Sequence, residues 1–108
     1  MRSKYHNKKV IWNGEQFDSK RERDRYAELL LLQRARVING LSRQVRFELI
    51  PNQKVNGELF RKVEYVADFT YWEDGNFVVE DCKGFKTDVY IIKKKLMLQR
   101  YGHVIRET

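Results

Sequence analysis

An α/β sandwich, with a mixed β-sheet flanked by two helices, is the fold class this sequence predicts, and three observations point to it. Apolar residues recur at helical spacing in a stretch after Ser19 and in another after Thr87. Around them lie β-prone or alternating runs: Val10 to Trp12, Glu15 to Phe17, Gln44 to Ile50, Leu59 to Trp72 and Asn76 to Lys83. Asn13-Gly14 and Asp74-Gly75 stand between strand-like neighbours, as type I′ hairpin turns require.

Taken in order, Val10-Ile11-Trp12 and Glu15-Gln16-Phe17 form the arms of a short hairpin. Asp18 or Ser19 caps the first helix, and Ser19 with Glu22 three residues on fits a capping box. The helix is expected to run to about Val37, to stop at Asn39-Gly40, and to bury Tyr26, Leu29, Leu30 and Val37. Val45, Phe47 and Leu49 alternate with Arg46 and Glu48, which predicts a half-buried strand closed by Pro51. Asn52 to Gly57 is polar and reads as a loop before the long strand Leu59 to Trp72. The strand returning from Asp74-Gly75 reaches Lys83, and Gly84 to Lys86 form a loop. Thr87 caps the second helix, Asp88 suits its positive end, and Val89, Ile92 and Leu96 are its expected buried face. That helix ends near Tyr101-Gly102, and His103 to Arg106 is a last strand.

The chain of 108 residues is large enough for one core, with residues 1–9 a basic N-terminal arm and 10–108 a single domain. Hydrophobic content of 42% is sufficient for folding, and the longest aliphatic run, Leu29 to Leu32, is far too short to cross a bilayer. The basic start precedes no apolar segment, so no secretion signal is expected. One cysteine, Cys82, excludes an intrachain disulfide and a cysteine-cluster zinc site and fits a reducing cytoplasm. The net charge of +7, from 22 Lys and Arg against 15 Asp and Glu, favours a polyanionic partner, nucleic acid before a membrane surface.

Two segments carry chemistry. Tyr65-Val66-Ala67-Asp68-Phe69 and Val79-Glu80-Asp81-Cys82-Lys83-Gly84 each place an acid inside an apolar or aromatic run, where a carboxylate needs a compensating cation or strong donors. Alternation puts Tyr65, Ala67, Phe69 and Tyr71 on one face of the long strand and Glu64, Val66, Asp68 and Thr70 on the other. On the returning strand Val79, Asp81 and Lys83 share a face opposite to Val78, Glu80 and Cys82. If the Asp68 and Asp81 faces coincide, the two carboxylates meet and call for a hard cation such as Mg²⁺ or Mn²⁺. The bland readings are that Asp68 bonds a nearby arginine or caps a turn, and that acid-x-lysine is solvated charge, since Asp18-Ser19-Lys20 also fits that pattern.

These two strands resemble the core of the PD-(D/E)xK nuclease superfamily, which includes restriction enzymes, Holliday-junction resolvases and very-short-patch repair endonucleases. Over nearly its whole length the chain is similar to small phage and prophage proteins assigned to that superfamily. The likeness rests on Ser3 to Lys9, Phe17-Asp18-Ser19-Lys20 with Glu22, the two segments above, and Thr87-Asp88-Val89-Tyr90. It implies a restriction-endonuclease-like core, a Mg²⁺-dependent (or Mn²⁺-dependent) endodeoxyribonuclease activity, and DNA as substrate, with branched or nicked intermediates among its candidate forms. It further implies Asp68, Asp81, Lys83 and Glu22 as catalytic residues, with Asp68, Asp81, the Cys82 carbonyl and Glu22 around the metal. Alanine rather than proline precedes the first acid. Glu22 has a rival role as the capping partner of Ser19, and a bulge would exchange Glu80 with Asp81. DNA contacts are expected from Lys86, Lys93, Lys94 and Lys95 and from Lys4, Lys8 and Lys9 of the arm, against the bland reading of solvated lysines. His6, His103 and Cys82 are expected to be structural or surface residues, and Arg21, Arg23 and Arg25 to pair within their helix. Non-catalytic alternatives are a DNA-binding or packaging-associated phage protein on the same core; a homodimer would be the default assembly for cutting two strands.

Overall fold

The computed structural model describes residues 8–108. Its elements are β1 (Val10–Trp12), β2 (Glu15–Phe17), α1 (Lys20–Arg34), β3 (Ile38–Ile50), β4 (Gln53–Val55), β5 (Glu58–Phe60), β6 (Val63–Glu73), β7 (Asn76–Asp81), α2 (Asp88–Tyr101) and β8 (Arg106–Glu107). The main sheet has the order β3-β6-β7-β8, antiparallel except for the β7–β8 pair, while β1–β2 and β4–β5 are separate hairpins. The chain is thus α/β, with a mixed sheet and two helices. Among the described residues no helix is long and apolar enough to cross a membrane.

The helices cover opposite faces of the sheet. Val78 belongs to a buried cluster with Leu29 of α1, Phe69 and Tyr71, whereas its neighbour Val79 belongs to one with Tyr90 and Met97 of α2, Tyr65 and Ala67. Adjacent strand residues point to opposite faces, so the sheet lies between α1 and α2. The same reasoning exposes a break in β6. Tyr65 and Ala67 lie on the α2 side but Phe69 and Tyr71 on the α1 side, so the expected single face of these four residues is corrected. The ladder pairs Arg43 with Phe69 and Val45 with Ala67, and Gln44 between them has a φ of 52°. That left-handed residue turns the strand pair over at Asp68.

Several expected boundaries move for local reasons. Helix α1 stops at Arg34, not near Val37, and Asn39-Gly40 lies inside β3. Arg36 has a φ of 63°, its N–H reaches the Gln33 carbonyl at 3.0 Å, and the Val37 N–H reaches that of Leu32 at 2.9 Å. This is a Schellman closure with arginine where glycine is usual. Val37 is consequently exposed and lies outside the buried stripe. Gly40 serves a bulge instead: with φ at 67°, an added Cβ would sit 3.2 Å from the Trp72 ring.

The expected loop Asn52 to Gly57 and long strand from Leu59 are also corrected. They contain a hairpin, β4–β5, turned by Asn56-Gly57 with both φ values positive, and β6 starts only at Val63. In α2 the buried residues are Tyr90 and Met97, while Val89 and Ile92 are 60% and 57% exposed. Leu96 of the expected face does pack against the core, and Lys94 reaches Glu107 with its Nζ at 3.1 Å. The last strand is Arg106–Glu107, two residues paired with Glu80 and Asp81, rather than His103 to Arg106. His103 sits among the rings of Phe47, Phe77 and Tyr101.

One polar assembly locks α1 to the sheet. Glu80 is fully buried, and Arg25 grips it with Nε on one oxygen at 2.7 Å and Nη2 on the other at 2.9 Å. Tyr71 Oη and Thr108 Oγ1 donate to the same carboxylate at 2.5 and 3.0 Å. Burial alone would raise its pKa, but these donors together hold it below the ordinary carboxylate range. Arg25 also bonds Glu28 within its helix, but its partner across the core was not anticipated by an intrahelical reading. Removing Arg25 would leave a buried carboxylate with only neutral donors. Arg25→Ala is expected to destabilise the fold by about 3 kcal/mol in urea denaturation, and Glu80→Gln in the same background to recover part of that loss.

Candidate functional site

Strand register alone brings the two candidate acids together. Phe69 pairs with Glu80 and Thr70 with Val79, so Asp68 and Asp81 fall at consecutive opposed positions of the β6–β7 ladder. The charge of Asp81 bears directly on the Asp68 carboxyl. Asp68 Oδ2 accepts the Cys82 backbone N–H at 2.9 Å, and Asp68 Oδ1 lies 3.5 Å from Gln44 Nε2. Burial first, then the charges of Asp81 and Glu22, push the Asp68 carboxyl up to about 8. Two neighbouring carboxylates favour a cation between them or a proton on one of them.

Asp81 is buried and held from two sides. Tyr65 Oη donates to its Oδ2 at 2.5 Å, and Lys83 Nζ lies 3.3 Å from its Oδ1. The Lys83 ammonium also stands over the Tyr90 ring, 4.2 Å from its centroid. Tyr90 is fixed in turn by its hydroxyl, which donates to Glu107 at 2.7 Å. The phenol of Tyr65 is raised by burial and by its bond to Asp81, so it remains a proton donor. Lys83 is therefore confined between an acid and a ring.

Glu22 comes near this pair without joining it. Its N–H bonds Ser19 Oγ at 3.2 Å, as a helix cap should, while its carboxylate turns inward to Gln44 Nε2 at 3.0 Å and Arg43 Nη2 at 3.3 Å. Burial raises its pKa, with Arg43 opposing that effect. Among the described residues no three His, Cys, Asp or Glu side chains group as a metal cluster. Gln44 stands between Glu22 and Asp68, its amide nitrogen 3.0 Å from the first and 3.5 Å from the second. A polar cleft of ≈200 Å³ opens here between Gln16, Asp18, Glu22, Arg43 and Gln44. The donor set nonetheless fits a hard divalent ion, since Asp68 and Asp81 offer paired oxygens whose mutual repulsion a cation would relieve.

The other expected residues separate. Cys82 lends its N–H to Asp68 and packs its thiol 3.4 Å from Thr108 Oγ1; burial pushes that thiol up to about 11, which makes it unreactive. Glu80 faces α1, away from Asp81, and no bulge exchanges the two. Lys86 and Lys94 both pair with Glu107, at 3.0 and 3.1 Å. Lys93 is half-buried, and Lys95 lines an apolar groove with Ile91, Leu98 and Val104. Lys8 and Lys9 are exposed, whereas Lys4 and His6 lie outside the described residues.

Sequence reasoning missed Tyr65, Tyr90, Gln44 and Arg43 as parts of this site. A phenol within three positions of Asp68 and another after the Thr87 cap were visible, but nothing marks a tyrosine as a carboxylate partner before the faces are known. The family profile that matches this chain covers residues 2–107 and carries the description "Protein of unknown function (DUF1064)". The chain belongs to the DUF1064 family. No curated protein and no solved structure matches it. The geometry of this DUF1064 member therefore has to carry its own chemistry.

With Asp68 raised, the metal-free fold keeps a proton that the unfolded chain releases near the ordinary value of 3.8. The folded state thus binds more protons between that value and about 8, so stability falls as pH rises through this window, by at most about 1.4 kcal/mol per unit. Thermal melting in EDTA should show this decline, and Asp68→Asn should flatten it and raise Tm at pH 8.

Proposed function

We propose that this DUF1064 protein is a metal-dependent phosphodiesterase acting on DNA, an endonuclease on a restriction-endonuclease-like core. The observation that carries the reading is the opposed pair Asp68–Asp81 with the Lys83 ammonium 3.3 Å from one of its oxygens. A stability role for such a pair is unattractive, because it burdens the fold with like charges that a hydrophobic pair would avoid. The mixed sheet between two helices and the net charge of +7 agree with this reading.

Asp68, Asp81 and the Cys82 carbonyl would hold the ion, with Glu22 available from α1. A bound Mg²⁺ or Mn²⁺ would supply Lewis acidity toward a phosphate oxygen and a water of lowered pKa. The remaining work falls to side chains. Tyr65 fixes Asp81 by a 2.5 Å bond, which keeps one of its oxygens oriented. Lys83, a compact charge pinned between Asp81 and the Tyr90 ring, orients water and stabilises developing negative charge on the phosphoryl oxygens. Gln44, which faces both Glu22 and Asp68, can release either acid without leaving it buried and bare.

The test is cleavage of plasmid, nicked and four-way-junction DNA with Mg²⁺ or Mn²⁺. The parent chain should cut at least one substrate, and EDTA should stop it. Asp68→Ala should remove cleavage while leaving DNA binding in low-metal buffer intact, and Lys83→Ala should slow it by about 10²-fold or more. Unchanged cleavage in Asp68→Ala would refute the site assignment. DNA binding without any metal-stimulated cleavage would favour a non-catalytic DNA-binding role.

A further inference from the structure

The β4–β5 hairpin is the least explained part of the fold. Its six strand residues are all exposed, including Val55 at 50%, Leu59 at 50% and Phe60 at 48%. The two strands pack on each other and make no extensive contact with another element. Two-stranded ribbons of this size are barely stable alone, so the Asn56-Gly57 turn and the Asn52 side chain, which accepts the Lys62 N–H at 2.6 Å, must hold it in shape. A rigid, uncovered ribbon with half-exposed apolar side chains is built to be covered by something else.

Its charge says what. Lys54 stands opposite Leu59 on one face, and Arg61 lies two residues beyond Leu59; neither cation has an ion-pair partner among the described contacts. Lys62 is held by Glu64. Residues 51–62 carry Lys54, Arg61 and Lys62 against Glu58, a net excess of positive charge in an already basic chain. Two copies of such a ribbon would repel one another, whereas a polyanion would attract both.

We infer that the hairpin is a wing that docks in a groove of duplex nucleic acid, with Lys54 and Arg61 on phosphates and Leu59 against the groove wall. A two-stranded ribbon fits the major groove, about 12 Å wide. The inference rests on the phosphodiesterase reading for one quantity, the position of the wing relative to the scissile phosphate. Leu59 and Asp68 are joined by a short stretch of chain that spans at most roughly 30 Å at about 3.3 Å per residue. The wing therefore lies within about one duplex turn, roughly 34 Å, of the phosphate presented to Asp68. It then grips duplex on one side of the cut, which makes the substrate one with a duplex arm beside the scissile phosphate.

The test uses the full chain in EDTA, so that binding is read without cleavage, on a long duplex of roughly two turns, about 20 base pairs. Lys54→Ala/Arg61→Ala should weaken binding to it roughly tenfold and lower its salt slope by about 2. Its melting temperature should equal that of the parent chain, because both side chains are exposed. Equal affinity of parent and double variant for the long duplex overturns the wing. So does a parent that binds no duplex, or a variant that changes oligomeric state with its DNA affinity intact. Wing-dependent binding without Mg²⁺-stimulated cleavage by the parent would leave the wing standing and remove the phosphodiesterase reading alone.

Discussion

Antiparallel registry between β6 and β7 is the constraint on which the rest of the site depends. Once Phe69 is paired with Glu80, Asp68 and Asp81 must meet, whatever their mutual repulsion. The surroundings are arranged to tolerate that meeting. The Cys82 N–H, the Tyr65 hydroxyl and the Lys83 ammonium each address one carboxylate oxygen, and the raised pKa of Asp68 favours its neutral form. Each of these donors is short-range and local, so the strain stays at one end of the sheet.

Consecutive acids on β7 illustrate how sheet parity assigns different work to similar side chains. Glu80 faces α1 and is neutralised by the bidentate Arg25, with Tyr71 and Thr108 completing its shell. Asp81 faces α2 and receives only a phenol and a lysine. The first is saturated and structural. The second retains capacity for a further ligand. The turn-over of β6 at Asp68 lets a single strand serve both sides, offering Tyr71 to Glu80 and Tyr65 to Asp81.

Much of this was legible in the residues. Period-two alternation and the Asp74-Gly75 turn placed Asp68 and Asp81 on adjacent strands and left open whether their faces coincide, and both helix caps, Ser19 and Thr87, stand where side-chain chemistry puts them. What escaped had physical causes. Arg36 and Gln44 adopt left-handed backbone without glycine, so neither the end of α1 nor the reversal in β6 left a signature. Asn56-Gly57 did leave one, but the polarity of its neighbours outweighed it. The face of α2 was misread in part: Leu96 packs on the core as its spacing suggests, while Val89 and Ile92 face water and Tyr90 and Met97 are buried instead. Glu22 was read as a ligand or a cap partner, and its ties to Arg43 and Gln44 are tertiary and cannot be counted from spacing.

Glu107 joins Lys86, on the connection between β7 and α2, to Lys94 on the helix itself. Hydrogen bonds from Tyr90 and from these lysines hold its carboxyl down at about 2, so the clasp stays charged under any ordinary condition. Helix α2 is also anchored by apolar contacts of Tyr90 and Met97, which ions do not screen, and by the Tyr101 hydroxyl on the Glu48 carbonyl. Brine would therefore loosen the doorway at Gly84 to Lys86 well before it disturbed the wall behind it, and the approach to Lys83 is the part of the molecule whose suppleness the ionic medium sets.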